Sequence, residues 1–398
     1  MFVAVARLSD PDGAGKAKIL VVGGSAKSRG VVCSASYEAR SFGVRSGMPL
    51  SQAARLCPTA VFVPVPRQQC GRKSREVARV LDQWAPKVEA ASIDEFYLDL
   101  SGTEAVYQGE PLAATAERIR SDVRERTGMT LSFGGGTNRL VAKLATERAK
   151  PRPGTAGTGV FIVPPGEEGD FLATHSLSDI PGVGPRLTAK LGTFGLSTVR
   201  EALRVGRREF ETWLGPRSGA WLYDRIRGIG SADVDPDGEA KSMSHEETFP
   251  RDLTSDEALE TELLRLATAL AAELRRDGLS ARCVTVKLRD YDFKTRQTGR
   301  TLDQPIDTDR AVFTVARQLL AALRARRRVA ARLIGIGLSR LEAPAASAQL
   351  TLLAPAPAET VETDRDRAVA RAMDAITTRF GLDAVKPARL TRKRPDPR

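Results

Sequence analysis

The first half of the chain carries short apolar runs of two kinds. Continuous apolar runs bounded by turn-forming residues predict buried strands, here at residues 19–22, 31–33 and 131–134. Apolar residues at spacings of three and four predict helices, here at residues 49–56, 68–85, 111–127 and 138–147. The pattern therefore predicts short strands that alternate with helices.

A strand hairpin is predicted between two of those helices. Residues 88–93 alternate in the manner of a strand, and the β-prone residues 96–98 follow, with Asp94 and Glu95 between them. Neighbouring strand residues point to opposite faces, so these two carboxylates can share one ion only if the chain bends, as at a hairpin tip. Such a pair suits Mg²⁺, which prefers a few carboxylates together with substrate phosphates. The alternative is a polar turn whose acidic residues serve solubility.

The character of the sequence changes at about residue 176. Residues 178–203 combine the glycines Gly182 and Gly184 with two short helical patterns, which is typical of a helix-hairpin-helix. In that motif, backbone N–H groups near a helix N-terminus bind a DNA phosphate. The nearby cations Arg186 and Lys190 favour this interpretation. The alternative is a helical hairpin that only packs on a core.

A separate module is predicted after a polar, breaker-rich linker at residues 231–241. Its pattern predicts strands at residues 243–249, 281–289 and 332–338 and helices at 255–276 and 307–326. Ser255 is the expected cap of the first helix, and Asp307 or Asp309 that of the second. Two helices on one face of a small sheet would leave the other face free. Basic residues cluster on and after one strand, as in a phosphate-binding surface: Lys287, Arg289, Lys294, Arg296 and Arg300. The alternative is a solvated strand face.

The C-terminal tail begins as an Ala/Pro-rich segment at residue 343. It contains a short apolar peptide typical of a segment that docks in a groove of a partner, formed by Gln349, Leu350, Leu352 and Leu353. A helix is expected near residues 364–380, followed by a basic end.

The composition excludes several classes of protein. The 398 residues suffice for two to four domains, and 41% hydrophobic with 28% charged residues is ordinary for a soluble protein. No apolar run is long enough to span a bilayer, so we expect no membrane association and a cytoplasmic protein. Four scattered cysteines without CxxC spacing and two histidines argue against a zinc site and a disulfide framework.

The charge balance points to a polyanionic partner. Lys and Arg number 61 against 49 Asp and Glu, which gives a net charge of +12 and a pI near 9.8. Each phosphate that a protein neutralises releases counterions, so a basic protein binds nucleic acid readily. The alternative is that the charge serves solubility.

Four sequence blocks together resemble the Y-family, or translesion, DNA polymerases. The blocks follow the family order and resemble its fingers motif, its palm motif, the helix that ends at a nucleotide-binding lysine, and the thumb hairpin; they lie at residues 36–49, 92–99, 138–151 and 180–184. The resemblance covers residues 1–342. It implies an α+β multidomain fold with the right-hand arrangement of polymerases.

The resemblance also implies a division into domains. The expected order is fingers with the end of the first palm segment at residues 1–66, palm at 67–165, thumb with the helix-hairpin-helix at 166–230, linker at 231–241, an α/β little finger at 242–342 and a flexible tail at 343–398. We expect a monomer that binds primer–template DNA.

The resemblance implies roles for the hairpin carboxylates. Asp94 and Glu95 would be metal ligands for two Mg²⁺ ions, and Glu95 would also be the catalytic carboxylate near the primer 3′-hydroxyl. Two metals in such a site clamp the attacking and leaving oxygens during nucleotidyl transfer. The expected activity is template-directed extension of primers across damaged template.

The incoming deoxynucleoside triphosphate and a protein partner also have implied contacts. Tyr37, Arg40 and Lys150 would bind the triphosphate, for which Arg40 offers a planar fork and Lys150 a point charge. Phe2 matches the bulky residue that stacks under the sugar and excludes a 2′-hydroxyl. Residues 349–353 resemble the peptide that docks such polymerases on the replicative sliding clamp.

One part of the family pattern is missing. Family members begin with a buried palm strand that ends in an Asp before an aromatic pair, to which Met1 and Phe2 here correspond. We expect that the natural start lies further upstream. The alternative is a catalytically impaired relative that binds DNA and the clamp as an accessory protein. A nuclease on a similar palm is a third reading, which the triphosphate-binding residues disfavour.

Overall fold

The computed structural model describes residues 1–151, 158–343, 361–381 and 384–391. Within them, the chain forms two compact units, Met1–Gly238 and Glu239–Arg398. Among the described helices there is no candidate for a membrane span. The two units are described separately.

The first unit begins with a small sheet and three helices. In chain order these are α1 (Phe2–Ser9), β1 (Leu20–Val22), β2 (Ser34–Ala35), α2 (Tyr37–Ser41), α3 (Leu50–Leu56) and β3 (Val61–Val63). The central strand β1 pairs antiparallel with β2 and parallel with β3. Its three side chains are fully buried, as the continuous apolar run predicts.

The strand predicted at residues 31–33 is wrong. Val31 forms only an isolated bridge with Pro49, and the paired strand begins at Ser34. Val32 is nevertheless buried in the same core as Val21. The run is therefore apolar because Val32 is buried in the core. Hydrophobic periodicity does not distinguish such burial from strand pairing.

The middle of the first unit carries the predicted hairpin between longer helices. Its elements are α4 (Arg67–Leu81), β4 (Lys87–Ala90), β5 (Phe96–Asp99), α5 (Leu112–Thr127), β6 (Phe133–Gly135), α6 (Arg139–Ala149) and β7 (Val160–Ile162). Strands β4 and β5 pair antiparallel, whereas β6 and β7 form a separate parallel pair. Helices α4 and α5 bury Val77, Ile119 and Val123 in one core.

Helix α6 has a defined start that fixes its direction. The side-chain oxygen of Asn138 accepts hydrogen bonds from the N–H groups of Leu140 and Val141, both at 3.1 Å. This is an N-cap, which satisfies donors that the first turn leaves unpaired. The side-chain amide of Asn138 donates to the carbonyl of Gly228 at 2.8 Å. The helix is thereby tied to the end of the helical region that follows.

That helical region is built from short helices around Phe210, Leu222 and Ile226. It comprises α7 (Glu168–Ala173), a 3₁₀ turn (Leu177–Asp179), α8 (Pro185–Gly192), α9 (Val199–Ala202), α10 (Arg207–Leu214) and α11 (Pro216–Arg225). Helices α8 and α9 are the predicted pair, while α10 and α11 were not predicted. The predicted linker at 231–241 is partly anchored, since Val234 is buried and the N–H of Asp235 donates to Glu89 at 3.0 Å.

The second unit is a four-stranded antiparallel sheet with two long helices. Its elements are β8 (Ser242–Leu253), α12 (Asp256–Arg276), β9 (Ser280–Asp290), β10 (Thr295–Ile306), α13 (Asp309–Arg326), β11 (Ala331–Glu342), α14 (Asp364–Phe380) and α15 (Ala388–Thr391). The strand order is β10-β9-β11-β8. Alternate residues of β9 and β11, such as Val286 and Ile336, pack against α12 and α13.

The predicted N-cap is confirmed for the first of the two long helices, α12, and is wrong for the second, α13. Ser255 caps α12, because its hydroxyl accepts from the N–H of Ala258. The prediction for α13 is wrong, since the cap is Thr308, whose side chain accepts from the N–H of Ala311. Asp309 instead lies in the first turn, where a carboxylate interacts favourably with the helix dipole.

Candidate functional site

Asp94 and Glu95 lie at the tip of the β4–β5 hairpin, where the sequence places them. The strands pair from Lys87 with Asp99 to Ala90 with Phe96, so residues 91–95 form the turn. The turn is closed by a hydrogen bond from the N–H of Ser92 to the carbonyl of Glu95, at 3.1 Å. The Ser92 hydroxyl donates to Oδ1 of Asp94 at 3.0 Å. The bend that a shared ion requires is therefore present.

Glu95 is held by two donors. Lys143 of α6 forms an ion pair with Oε1 of Glu95, and the Tyr97 hydroxyl donates to the same oxygen at 3.2 Å. Burial raises the pKa of Tyr97, so this hydroxyl remains a donor. Partial burial acts to lower the pKa of Lys143, but its hydrogen bond with Glu95 and nearby negative groups raise it overall. Lys143 is therefore a stable ammonium donor.

A second cation on the same face of α6 extends this network. Arg139 lies one turn before Lys143 and forms an ion pair with Glu89 at 2.6 Å. Its guanidinium lies 4.3 Å from the centre of the Tyr97 ring, a cation–π contact. Glu89 and Tyr97 are direct cross-strand partners in the hairpin. One helix face thus supports one face of the hairpin next to the candidate site.

The donor chemistry of the hairpin tip fits a divalent cation. Asp94 and Glu95 supply hard carboxylate oxygens, the ligands that Mg²⁺ takes together with phosphate oxygens of a substrate. Within residues 1–151, 158–343, 361–381 and 384–391, no group of three or more His, Cys, Asp or Glu side chains could hold a metal. Asp94 and Glu95 are thus the candidate carboxylate ligands that the described hairpin tip presents.

The predicted nucleotide-binding residues lie on separate elements. Tyr37 begins α2 and is half-exposed, while Arg40 of the same helix donates from Nε to the carbonyl of Ala35 at 3.0 Å. Lys150 caps the C-terminus of α6 and forms an ion pair with Glu147. None of the three forms a hydrogen bond or ion pair with Asp94 or Glu95 in the described part of the chain.

Phe2 opens α1 and is partly buried at a junction of two cores. One core contains Val5 and Val77, and the other contains Leu20 and Val22. This packing fixes the ring at the surface of the unit that carries the hairpin.

The backbone of the glycine turn before α8 packs closely against the Trp221 side chain. Gly182 has a φ of +98°, and a Cβ there would lie 2.6 Å from the Trp221 ring. Gly184 is the N-cap of α8, and the cations Arg186 and Lys190 on that helix are exposed. A cleft of about 420 Å³ lies between this turn and α6, lined on the α6 side by Lys143, Leu144 and Glu147.

The basic residues of the second unit do not share one surface. Lys287 and Arg289 lie on the sheet face opposite α12 and α13, where Lys287 pairs with Glu246. Lys294 lies in the turn before β10 and is exposed.

Arg296 lies on the helix side of the sheet, because it is the register partner of the buried Leu288. Its guanidinium binds the buried Asp290 and the carbonyl of Leu323. The expectation that Arg296 joins Lys287 and Arg289 on one surface is wrong.

Comparison with known proteins decides the family. Residues 1–147 match the impB/mucB/samB family, residues 178–230 the DNA polymerase-iota thumb domain, and residues 240–352 the impB/mucB/samB family C-terminal domain. DNA polymerase IV of Desulfatibacillum aliphaticivorans is 35% identical over 98% of this chain and 94% of its own. DNA polymerase IV of Caulobacter vibrioides is 36% identical over 94% and 88%. The chain belongs to the Y-family DNA polymerases.

Solved Y-family structures share the fold. A Dbh–Dpo4 chimera described as a Y-family DNA polymerase superposes with a TM-score of 0.76 at 26% identity, covering 86% of this chain and 97% of its own. An insertion ternary complex of Dbh DNA polymerase gives a TM-score of 0.59 at 26% identity, with coverage of 86% and 97%. The predicted fold class, with a helix-hairpin-helix thumb and a C-terminal little finger, is confirmed.

Two contacts of this Y-family site were not predicted. Lys143 and Arg139 lie in the block at residues 138–151, which was interpreted only as the helix that ends at a nucleotide-binding lysine, yet they hold the hairpin through Glu95 and Glu89. Their i,i+4 spacing puts two cations on one helix face, which was the available sequence signal. The predicted clamp-docking peptide at 349–353 lies outside the described residues.

Proposed function

We propose that this Y-family chain is a DNA-directed DNA polymerase that adds deoxynucleotides to a primer 3′-hydroxyl, including opposite damaged template bases. The observation that carries the proposal is the hairpin tip, where Asp94 and Glu95 are adjacent in the turn and Glu95 is held by Lys143. Relatives of similar length named DNA polymerase IV support the same activity.

Each residue would perform a limited task in the reaction. Mg²⁺ bound by Asp94 and Glu95 would supply charge stabilisation and an activated hydroxyl at the 3′ end. Glu95 would orient the attacking hydroxyl. Arg40 and Lys150 would neutralise charge on the triphosphate, Arg40 as a fork and Lys150 as a point charge. Tyr37 would add a hydroxyl donor to the same phosphates.

We propose two DNA-binding surfaces, one in the thumb and one in the little finger. In the thumb, the turn of Gly182 and Gly184 exposes backbone N–H groups at the start of α8, with Arg186 and Lys190 beside it. In the little finger, the open sheet face and the adjacent turn carry Lys287, Arg289 and Lys294. We propose the expected domain order, with fingers at 1–66, palm at 67–165, thumb at 166–230 and little finger at 242–342.

Template direction is tested by single-nucleotide addition. Four primed templates that differ only in the templating base are each offered the four deoxynucleotides separately, with Mg²⁺. The proposal predicts that the complementary nucleotide is added fastest on every template. Addition that ignores the templating base, or cleavage of the primer in place of extension, would contradict it. A template with an abasic site at the same position tests the translesion role, for which continued extension is expected.

Replacing Phe2 with alanine is expected to admit ribonucleotides. The ring is fixed between two cores, and its loss would remove the surface proposed to exclude a 2′-hydroxyl. We expect discrimination between deoxy- and ribonucleotides to fall by about 10²-fold in kcat/KM, as for loss of a steric pocket wall. Phe62→Ala, in a neighbouring core, is the control for general damage. Unchanged discrimination in Phe2→Ala would remove Phe2 from the sugar site.

We propose that residues 349–353 dock the polymerase on the sliding clamp through Gln349, Leu350, Leu352 and Leu353. Deletion of these five residues is expected to abolish stimulation of synthesis by the clamp and to leave synthesis without clamp unchanged. The measurement is primer extension on long primed DNA with and without loaded clamp. Equal loss in both conditions would refute the docking role, because the peptide would then support the enzyme itself.

A further inference from the structure

Within the part of the chain that the structure describes, the side-chain donors to Glu95 all reach the same carboxylate oxygen. Lys143 and Tyr97 both donate to Oε1, from different elements of the fold. A carboxylate can accept at both oxygens, so this arrangement leaves Oε2 for another ligand. We propose that Lys143 is a positioning residue of the catalytic carboxylate, which fixes Glu95 through Oε1 so that Oε2 binds the metal ion. The inference rests on the proposed polymerase function.

Lys143 is suited to this role because its own position is fixed. It lies on α6, which the Asn138 cap and its bond to Gly228 hold in place. One turn earlier, Arg139 clamps the hairpin through Glu89 and the Tyr97 ring. The Glu95 side chain is 39% exposed and lies in a turn, so without Lys143 the Tyr97 hydroxyl alone would restrain its rotamer.

The positive charge of Lys143 has a second consequence. An ammonium group on Oε1 repels a divalent cation on Oε2 of the same carboxylate. Lys143 therefore orders the ligand but weakens metal binding. Its loss should slow the reaction and tighten metal binding at the same time. A residue that only supports the fold would not move these two quantities in opposite directions.

The variant Lys143→Met tests whether the reaction slows while metal binding tightens, because methionine keeps the length of the side chain and removes the charge. We expect kcat of primer extension at saturating Mg²⁺ to fall about 10²-fold, as for a misplaced catalytic group. Mn²⁺ binding is measured without turnover, by electron paramagnetic resonance on the full chain with a dideoxy-terminated primer and a deoxynucleotide. We expect the Mn²⁺ affinity to rise by about 10-fold.

Two variants serve as controls. Lys143→Arg keeps a charged donor and is expected to restore most of kcat and the weaker Mn²⁺ binding. Lys16→Met removes an exposed lysine paired with Asp12 and should change neither quantity.

Wild-type kcat and Mn²⁺ affinity in Lys143→Met would overturn the inference. A fall in both quantities would also overturn it, since that indicates general damage. If the wild-type protein does not extend primers, the proposed function fails, and the Mn²⁺ measurement alone still decides whether Lys143 competes with the metal.

Discussion

Replacing Glu95 with glutamine is expected to reduce primer extension by about 10³-fold or more, because a metal ligand contributes several kcal/mol to the transition state. Glutamine has the same shape but no charge, so the hairpin should fold unchanged. Loss of the Lys143 partner charge is tolerable, since both side chains are more than one-third exposed. Asp94→Asn should have an effect of the same order. Extension is measured by rapid quench at saturating nucleotide.

Binding of primed DNA separates the chemical role of Glu95 from a role in DNA binding. We expect fluorescence anisotropy to give nearly the same dissociation constant for Glu95→Gln and the wild type. Glu125→Gln changes an exposed carboxylate of α5 in the same unit and should retain full activity. Activity of Glu95→Gln equal to that of the control would remove Glu95 from the catalytic site.

Replacing Asp290 with asparagine is expected to destabilise the second unit by about 3 kcal/mol, since breaking a buried ion pair leaves uncompensated charge. Asp290 is fully buried at the end of β9. Arg296 binds its Oδ1 at 2.7 Å, and Arg327 binds its Oδ2 at 2.5 Å. Asparagine leaves Arg296 without this anion and leaves Arg327 paired only with Asp292. Urea unfolding of the full chain, followed by hydrogen exchange of β9 and β10 amides, measures the change.

Asp292 provides a matched control two residues away. It also pairs with Arg327, at 3.0 Å, but lies at the surface, and the hydrogen bond from Arg327 lowers the pKa of Asp292 to about 2. Exposed pairs contribute little, so Asp292→Asn should destabilise the second unit much less than Asp290→Asn. Equal effects of the two variants would show that the Asp290 pairs are no more important than surface contacts.

Helices and strands with a hydrophobic pattern of their own could be predicted from the sequence. The helix expected at 364–380 is α14, and the hairpin around Asp94 and Glu95 forms as predicted. Strand β10 was not predicted because residues 295–301 are polar on both faces, and only pairing with β9 identifies the strand. Helices α10 and α11 are short and separated by Gly215, so their single buried faces were not recognised.

The same distinction applies to the candidate site, where local sequence predicted some residues and not others. The carboxylates could be predicted because they are adjacent in sequence and lie between two strand patterns. Their partner Lys143 could not, because it is 48 residues from Glu95 and reaches it only after α6 packs on the hairpin. Arg296 is the opposite case, because residues close in sequence lie apart in the structure. The β9–β10 register places it on the other face of the sheet from Lys287 and Arg289.

The most direct test of the polymerase assignment is primer extension with Mg²⁺ and the four deoxynucleotides, measured together with binding of the same primed DNA. The assay compares this chain with the chain extended to the preceding in-frame start, each with and without Glu95→Gln. We expect template-directed extension that Glu95→Gln abolishes, while binding of the primed DNA persists. Tight binding of primed DNA without extension by either form would contradict it and support an accessory protein.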